Sequence, residues 1–360
     1  MALEFASKLR RIPVYPAAAG YAATGELAKL ASNESPFAPL PEVVEAASRA
    51  LGDANRYPDP TNRELRQALA DRHGVPAGRI AIGNGSCDIL LAAGEALLEP
   101  GAELVHAWPS FSIYPHLAAA SGARAIQVPL DGNHGHDLEA MGREITAATR
   151  LVIVCNPNNP SSTALPLDEI AAFVRDVPRH VAVVLDEAYC EFNLLQDPEE
   201  SVELLRRHQN LVLLRTFSKV YGLAALRVGY ALCGSEDLPV AVDQVRQPFF
   251  CNVAAQAAAV EALRHQDEVA RRVERTIAER LALEDGLRRL GLEPAESQAN
   301  FVWFDLGEDV VEADVVRGLA ERGVLVRAGT SLGREGALRV TVGTERENER
   351  FLATLGELLA

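Results

Sequence analysis

The chain has 360 residues, 48% of them hydrophobic and 24% charged, a globular mixture that excludes a disordered, collagen-like or coiled-coil polypeptide and, at this length, predicts two domains. Fifty acidic against 35 basic residues leave a formal charge of −15, which repels phosphate backbones and anionic membranes and excludes nucleic acid and membranes as expected partners. No apolar run reaches the roughly 18 residues of a membrane span, and Met1 to Arg11 lacks a signal peptide's apolar stretch, so the expected location is cytoplasmic.

In chain order, residues 1–41 are rich in Ala, Pro and Tyr with weak periodicity and read as an arm. Short apolar runs then alternate with amphipathic helical stretches: strands at Leu104–Ala107, Arg124–Val128, Leu151–Cys155, Val181–Leu185, Leu211–Arg215 and Val228–Leu232, helices around Cys87–Leu98, Ser112–Ala120 and Leu167–Val174. That rhythm predicts an α/β fold, a mainly parallel sheet flanked by helices, over residues 42–255. Beyond it a charged helix, Glu268 to Leu290, stops at Gly291, and strands follow at Phe301–Asp305, Leu325–Arg327 and Leu338–Val342. Residues 256–360, with the arm 1–41, are expected to form a smaller α+β domain. The five cysteines are widely spaced without a C-x-x-C pair, so neither a disulfide framework nor a metal site is expected.

All but three of the basic residues are arginine; the lysines are Lys8, Lys29 and Lys219. Where lysine has been so depleted, one persists by chance or where a primary amine is needed as a nucleophile, which guanidinium cannot replace. Lys8 and Lys29 lie in the polar arm, whereas Lys219 follows an apolar run. Three strands run into polar clusters: LVIVC into Asn156-Pro157-Asn158-Asn159-Pro160, VAVVL into Asp186-Glu187-Ala188-Tyr189, and LVLLR into Thr216-Phe217-Ser218-Lys219. Each cluster alone is adequately a turn or a helix start. In an open parallel sheet, however, the carboxyl ends of strands border the ligand crevice, which brings a lysine, a carboxylate, a phenol and an amide together. Ile82-Gly83-Asn84-Gly85-Ser86 opens a helix whose free N–H groups favour a phosphate, with Ser218 and Arg227 able to close on it. An amine, a carboxylate and a phosphate cup suggest pyridoxal phosphate: aldehyde on Lys219, ring nitrogen on Asp186, phosphate at the helix start.

The run from Thr216 to Tyr230, TFSKVYGLAALRVGY, resembles the cofactor-lysine segment of fold-type I aminotransferases, and within them the histidinol-phosphate aminotransferase branch. The likeness extends through Leu30 to Pro36, Arg56-Tyr57-Pro58, Gly83 to Asp88, Pro157 to Pro160 and Leu338 to Thr344. It implies that Lys219 holds the cofactor and moves the substrate proton and that Asp186 pairs with the ring nitrogen. Asn159 and Tyr189 would bond the ring's phenolic oxygen, and Phe111 would stack on the ring. Ser86, Cys87, Thr216, Ser218 and Arg227 would form the phosphate cup, and Tyr57 would reach the cup of the neighbouring subunit in a homodimer. Arg339 would grip a carboxylate, or with Arg327 the phosphate of histidinol phosphate, with Tyr15 and Asn33 nearby. The substrates implied are an amino donor, histidinol phosphate, and 2-oxoglutarate, a step of histidine biosynthesis. Aromatic amino acids, or decarboxylation of a phosphorylated threonine, are the alternatives the same frame supports. Three short segments depart from the family pattern: Ser161-Ser162 for Thr-Gly, Ala225 for a glycine, and Cys87-Asp88 for Asp-Glu.

Overall fold

The computed structural model describes residues 3–5, 7–12 and 25–360; Tyr15 lies outside the described residues. The strands in chain order are β1 (Ala28–Lys29), β2 (Ile80–Gly83), β3 (Glu103–Trp108), β4 (Arg124–Pro129), β5 (Thr149–Cys155), β6 (Ala182–Asp186), β7 (Leu211–Thr216), β8 (Gly229–Cys233), β9 (Phe301–Asp305), β10 (Val324–Leu325), β11 (Arg327–Ala328) and β12 (Ala337–Thr341). A seven-stranded sheet in the order β2-β8-β7-β6-β5-β3-β4 forms the centre. From β7 to β4 every pairing is parallel, while β8 runs antiparallel to both β7 and β2. The mainly parallel α/β expectation therefore holds. β2, which the apolar pattern does not single out, is an additional strand, only four residues long and buried throughout.

Side chains alternate across the sheet because the strand period is two. Val183, Leu185, Leu211 and Leu213 face one core, with Leu65, Leu69, Ile170 and Val202 from the covering helices. Val184, Val212 and Leu214 face the other, with Ile89, Leu90, Tyr114 and Leu117. Strands covered on both faces carry few polar residues, and so read as apolar runs. Each such fully buried Leu or Val contributes about 1.5–3 kcal/mol relative to exposure.

A separate core gathers around the antiparallel sheet β11-β12-β9, where Val302, Leu338 and Val340 meet Leu283, Leu319 and Phe351 from helices Gln266–Arg289, Glu312–Glu321 and Glu345–Leu359. Ala28 and Leu30 of the arm belong to this core, since β1 pairs in parallel with β10. The single strand expected at Leu325–Arg327 is two: β10 pairs with the arm and β11 turns away to pair with β12. A break at Val326 lets one stretch satisfy two sheets. No helix among the described residues is long and apolar enough to cross a membrane.

At the β8 start, Gly229 pairs with Thr216 on one side and Gly83 on the other. A Cβ there would lie 2.5 Å from the Ser86 nitrogen and 2.9 Å from the Gly85 carbonyl carbon, both backbone atoms that cannot swing away. Gly229→Ala should therefore cost about 1–3 kcal/mol, as overpacking does, and lower the thermal midpoint by a few degrees. Gly52→Ala, with nothing within 4 Å of the added carbon, should leave it unchanged; equal melting curves for the two would contradict the tight contact.

Candidate active site

The carboxyl ends of β5, β6 and β7 open into one cleft of about 260 Å³, lined among others by Asn33, Phe111, Asn159, Asp186, Tyr189, Lys219, Arg327 and Arg339. Ser86, Cys87, Thr216, Ser218 and Arg227 line it as well. The three polar clusters converge as the sheet topology requires. The Lys219 amine donates to the Ser32 carbonyl at 3.2 Å and lies 5.6 Å from the centre of the Tyr189 ring. Its enclosure, helped by the nearby Arg339 charge, pushes the amine down to about 8. Lys8 and Lys29 are exposed.

Helix Ser86–Leu97 points its amino end at the cleft, and no side chain caps it. β2 delivers that end because it runs parallel to β7 after two antiparallel steps through β8. Gly85, at φ 84°, lies against the Arg227 guanidinium, where a Cβ would collide. Ser218 N–H donates to the Thr216 hydroxyl at 3.1 Å, and that hydroxyl lies 3.0 Å from Ser218 Oγ. Free helix N–H groups, two hydroxyls and a guanidinium form a cup suited to a phosphate.

Asp186 is 3% exposed, and burial pushes its carboxyl up to about 6. The Tyr114 phenol donates to its Oδ2 at 2.7 Å and the Ala188 N–H to its Oδ1 at 3.3 Å. Burial holds the Tyr189 phenol above its usual value; its oxygen accepts from Asn33 Nδ2 at 3.0 Å. Asn33 also donates its backbone N–H to Thr341 Oγ1 at 2.9 Å, linking the arm to β12. Arg339 donates to Asn159 Oδ1 at 2.5 Å and to the Ala31 carbonyl at 2.7 Å. Arg327 stands directly across from Arg339 in the β11–β12 ladder, and both are buried. Tyr57 is apart from the cleft lining, 80% exposed and stacked on Phe249 with ring centres 4.4 Å apart.

The departures leave the cleft intact. Ser162 adopts φ 63°, the left-handed conformation that explains a glycine at this place. Ser161 accepts from Asn158 Nδ2 at 2.8 Å inside a fully buried turn. Cys87 keeps its place at the helix start, and burial pushes its thiol up. Sequence reasoning missed Tyr114, Ser32 and Leu332. For Tyr114 the available signal is its place three residues after Phe111, in the first turn of helix Ile113–Ser121; Leu332 enters the cleft from the turn after β11.

The family model for aminotransferase class I and II matches residues 26–355. The chain belongs to that family. It is a pyridoxal-phosphate-dependent aminotransferase, the activity and cofactor that the lysine segment implies. An aromatic amino acid aminotransferase of Thermobifida fusca is 46% identical over 349 residues, 96% of this chain and 94% of that protein. A histidinol-phosphate aminotransferase of Geobacillus thermodenitrificans is 44% identical over 335 residues, 93% of this chain and 90% of that protein. The structure of the Sinorhizobium meliloti histidinol-phosphate aminotransferase in complex with pyridoxal-5'-phosphate superposes with a TM-score of 0.90 at 30% identity, covering 100% of this chain and 98% of that one. The fold-type I assignment follows.

The aminotransferase's cleft fits this cofactor: the uncapped helix end and the Gly85–Arg227 contact make a cradle, and a lysine and a carboxylate line the same cleft. The nucleophilic form of Lys219 is the neutral amine, whose population grows as pH rises through about 8 rather than 10.5. Cofactor-stripped enzyme mixed with pyridoxal phosphate should regain its visible absorption band at a rate that climbs through pH 8 and then levels. A rate still climbing toward pH 10, or a borohydride-fixed label on Lys8 or Lys29, would contradict this assignment.

Proposed function

We propose that the enzyme transfers the amino group of histidinol phosphate to 2-oxoglutarate, yielding imidazole acetol phosphate and glutamate in histidine biosynthesis, in the cytoplasm. The observation that carries this reading is the buried pair Arg327 and Arg339 at directly opposed positions of β11 and β12. Like charges so placed repel, a cost that a doubly charged phosphate between two guanidinium forks offsets. A single amino-acid carboxylate needs only one fork. In the second half of the cycle the same pair would take a carboxylate of 2-oxoglutarate in turn, with Tyr15 and Asn33 as further substrate-binding residues.

Bound pyridoxal phosphate supplies an aldehyde that captures the amine and a ring that accepts the electron pair left on the α carbon. The rest falls to the chain. Lys219 Nζ moves the proton from the substrate carbon, and Asp186 holds the proton on the ring nitrogen. Tyr189 and Asn159 bond the ring's phenolic oxygen while Phe111 packs on the ring face. Ser86, Cys87, Thr216, Ser218 and Arg227 hold the phosphate, joined by Tyr57 of the neighbouring subunit in a homodimer. The exposed Tyr57–Phe249 stack supports that role, because an aromatic pair left in water is better placed at an interface. We also place the division of the chain between a large lobe from 42 and a small lobe made of the arm and the carboxyl-terminal third. Its second boundary, drawn at 255, is better set after helix Val253–Ala262, whose alanines pack in the large core.

A second reading, an aromatic amino acid aminotransferase, draws on the 46% identity to the Thermobifida fusca protein and on Phe111 and Leu332 at the cleft. Assaying glutamate formed from histidinol phosphate and from phenylalanine decides between them, and carbon dioxide release would reveal a decarboxylase. Arg327→Ala should raise the KM for histidinol phosphate by roughly tenfold or more, the loss of a charge-assisted contact, and leave the neutral aromatic side chain's KM nearly unchanged. Equal effects on both would favour the aromatic reading.

Asp186→Asn should lower kcat by orders of magnitude with the fold intact, as expected when an electrostatic contact made mainly in the transition state is lost. For the dimer, a mixture of Tyr57→Phe and Lys219→Ala subunits that demonstrably exchange should recover one working site per hybrid. No recovery would mean that each site is built within one chain.

A further inference from the structure

Tyr114 has no place in the roles above, yet it makes the shortest contact to Asp186. It is fully buried on helix Ile113–Ser121 and reaches the carboxylate from the side away from the cleft, which it does not line. The alternation of β6 puts Asp186 on the same face as Val184, toward the core that contains this helix. The helix also fixes Phe111: the Tyr114 N–H donates to the Phe111 carbonyl at 3.0 Å, and the two rings meet edge to face with centres 5.7 Å apart. On the other side His106 packs edge-on against the phenol, also at 5.7 Å. Burial holds His106 neutral, so no cation competes for the phenol.

We propose that Tyr114 is a positioning residue that keeps Asp186 ionised and aimed into the cleft, and that couples it to Phe111 as one rigid unit. This rests on the reading of Asp186 as partner of the ring nitrogen. The groups facing Asp186 are Tyr114 from the helix, Cys155 from β5, Glu187 from its own strand end, Lys219 from the loop after β7, and Cys87 and Tyr189 around the cleft. Burial and the Glu187 charge favour the neutral acid; the phenol's hydrogen bond favours the carboxylate, ahead of the Ala188 N–H and the Lys219 charge. The phenol itself is held far above its ordinary value by burial, so it remains a donor at every working pH. Without the hydroxyl, Oδ2 loses this donor and the 3.3 Å amide contact to Oδ1 remains. The carboxyl would then protonate at higher pH and turn more freely. Phenylalanine at 114 preserves the ring packing, so the hydroxyl can be tested separately.

The test uses full-length holoenzymes. Tyr114→Phe should melt within a few degrees of the parent yet release pyridoxal phosphate on dilution about tenfold to a hundredfold faster at neutral pH, the range for a hydrogen bond to a charged group. The acid limb of cofactor retention, and of the visible band, should move up by about one pH unit. In an Asp186→Asn background the same substitution should add little, because the phenol acts through the carboxylate. If Asp186→Asn is crippled while Tyr114→Phe retains cofactor with an unmoved acid limb, or if the two effects simply add, the proposal fails and the Asp186 reading stands. If Asp186→Asn itself behaves normally, the Asp186 reading has failed. Should Tyr114→Phe not fold, 3-fluorotyrosine at position 114, a stronger donor, should move the acid limb down; no movement overturns the proposal.

Discussion

Backbone hydrogen bonding between parallel strands fixes register, and register is what places Cys155 beside Asp186 and Asp186 beside Leu214. Slip one strand by a residue and every side chain changes face. Asp186 would then leave the core that holds Tyr114, and the loop carrying Lys219 would move with its strand. The apolar runs of β5, β6 and β7 therefore do more than fill a core. They hold the ends of three loops in fixed relation, so that an amine, a carboxylate and an amide share one cleft without long-range flexibility. β8 extends the same control to the phosphate cup, since its first residue has no Cβ and lets helix Ser86–Leu97 approach to backbone contact.

The smaller sheet enters the site through Phe301 of β9, which packs edge-on against Tyr189 with ring centres 5.0 Å apart, and through hydrogen bonds. Arg339 reaches Asn159 and the arm at Ala31, while Asn33 reaches Tyr189 and Thr341. These contacts are directional and few, in contrast to the interdigitated side chains within each lobe. Of the two buried guanidinium groups on adjacent strands β11 and β12, that of Arg339 donates into a polar seam, where Asn159 and the Ala31 carbonyl accept from it.

Much of this was legible in the residues because chemistry leaves few substitutes. One lysine after an apolar run and one aspartate at a strand end cannot be replaced by arginine or asparagine without losing the reaction, and both are found in the cleft. The parallel sheet was legible for the same kind of reason: strands buried on both faces must be apolar throughout. β2 escaped because four residues ending in glycine give too short a pattern. The break between β10 and β11 escaped because which partner each half takes is a tertiary matter. Tyr114 was hidden most completely. Its ring satisfies the apolar pattern of its helix, and only the register of β6 reveals that its hydroxyl has a carboxylate to meet. The family positions departed from were partly interpretable too: a glycine site occupied by Ser162 keeps its positive φ, so the turn geometry, not the residue, is the constraint.

A chain of formal charge −15 that handles anionic substrates needs its attraction to be local. At physiological ionic strength exposed charges are screened beyond about 8 Å, so the acidic surface acts weakly on an anion already within the cleft. There Lys219, Arg227, Arg327 and Arg339 face Asp186 and Glu34 among the lining residues. Buried charges are screened least, and Arg327 and Arg339 lie where water is scarce. Four basic side chains against two carboxylates line the cleft, which makes it locally positive although the chain as a whole is acidic. The one carboxylate that must remain charged inside is consequently the group most exposed to failure. Its immediate support is a single phenol and a distant amide rather than a paired cation, because a cation bonded to it would compete with the ring nitrogen for the same oxygen atoms.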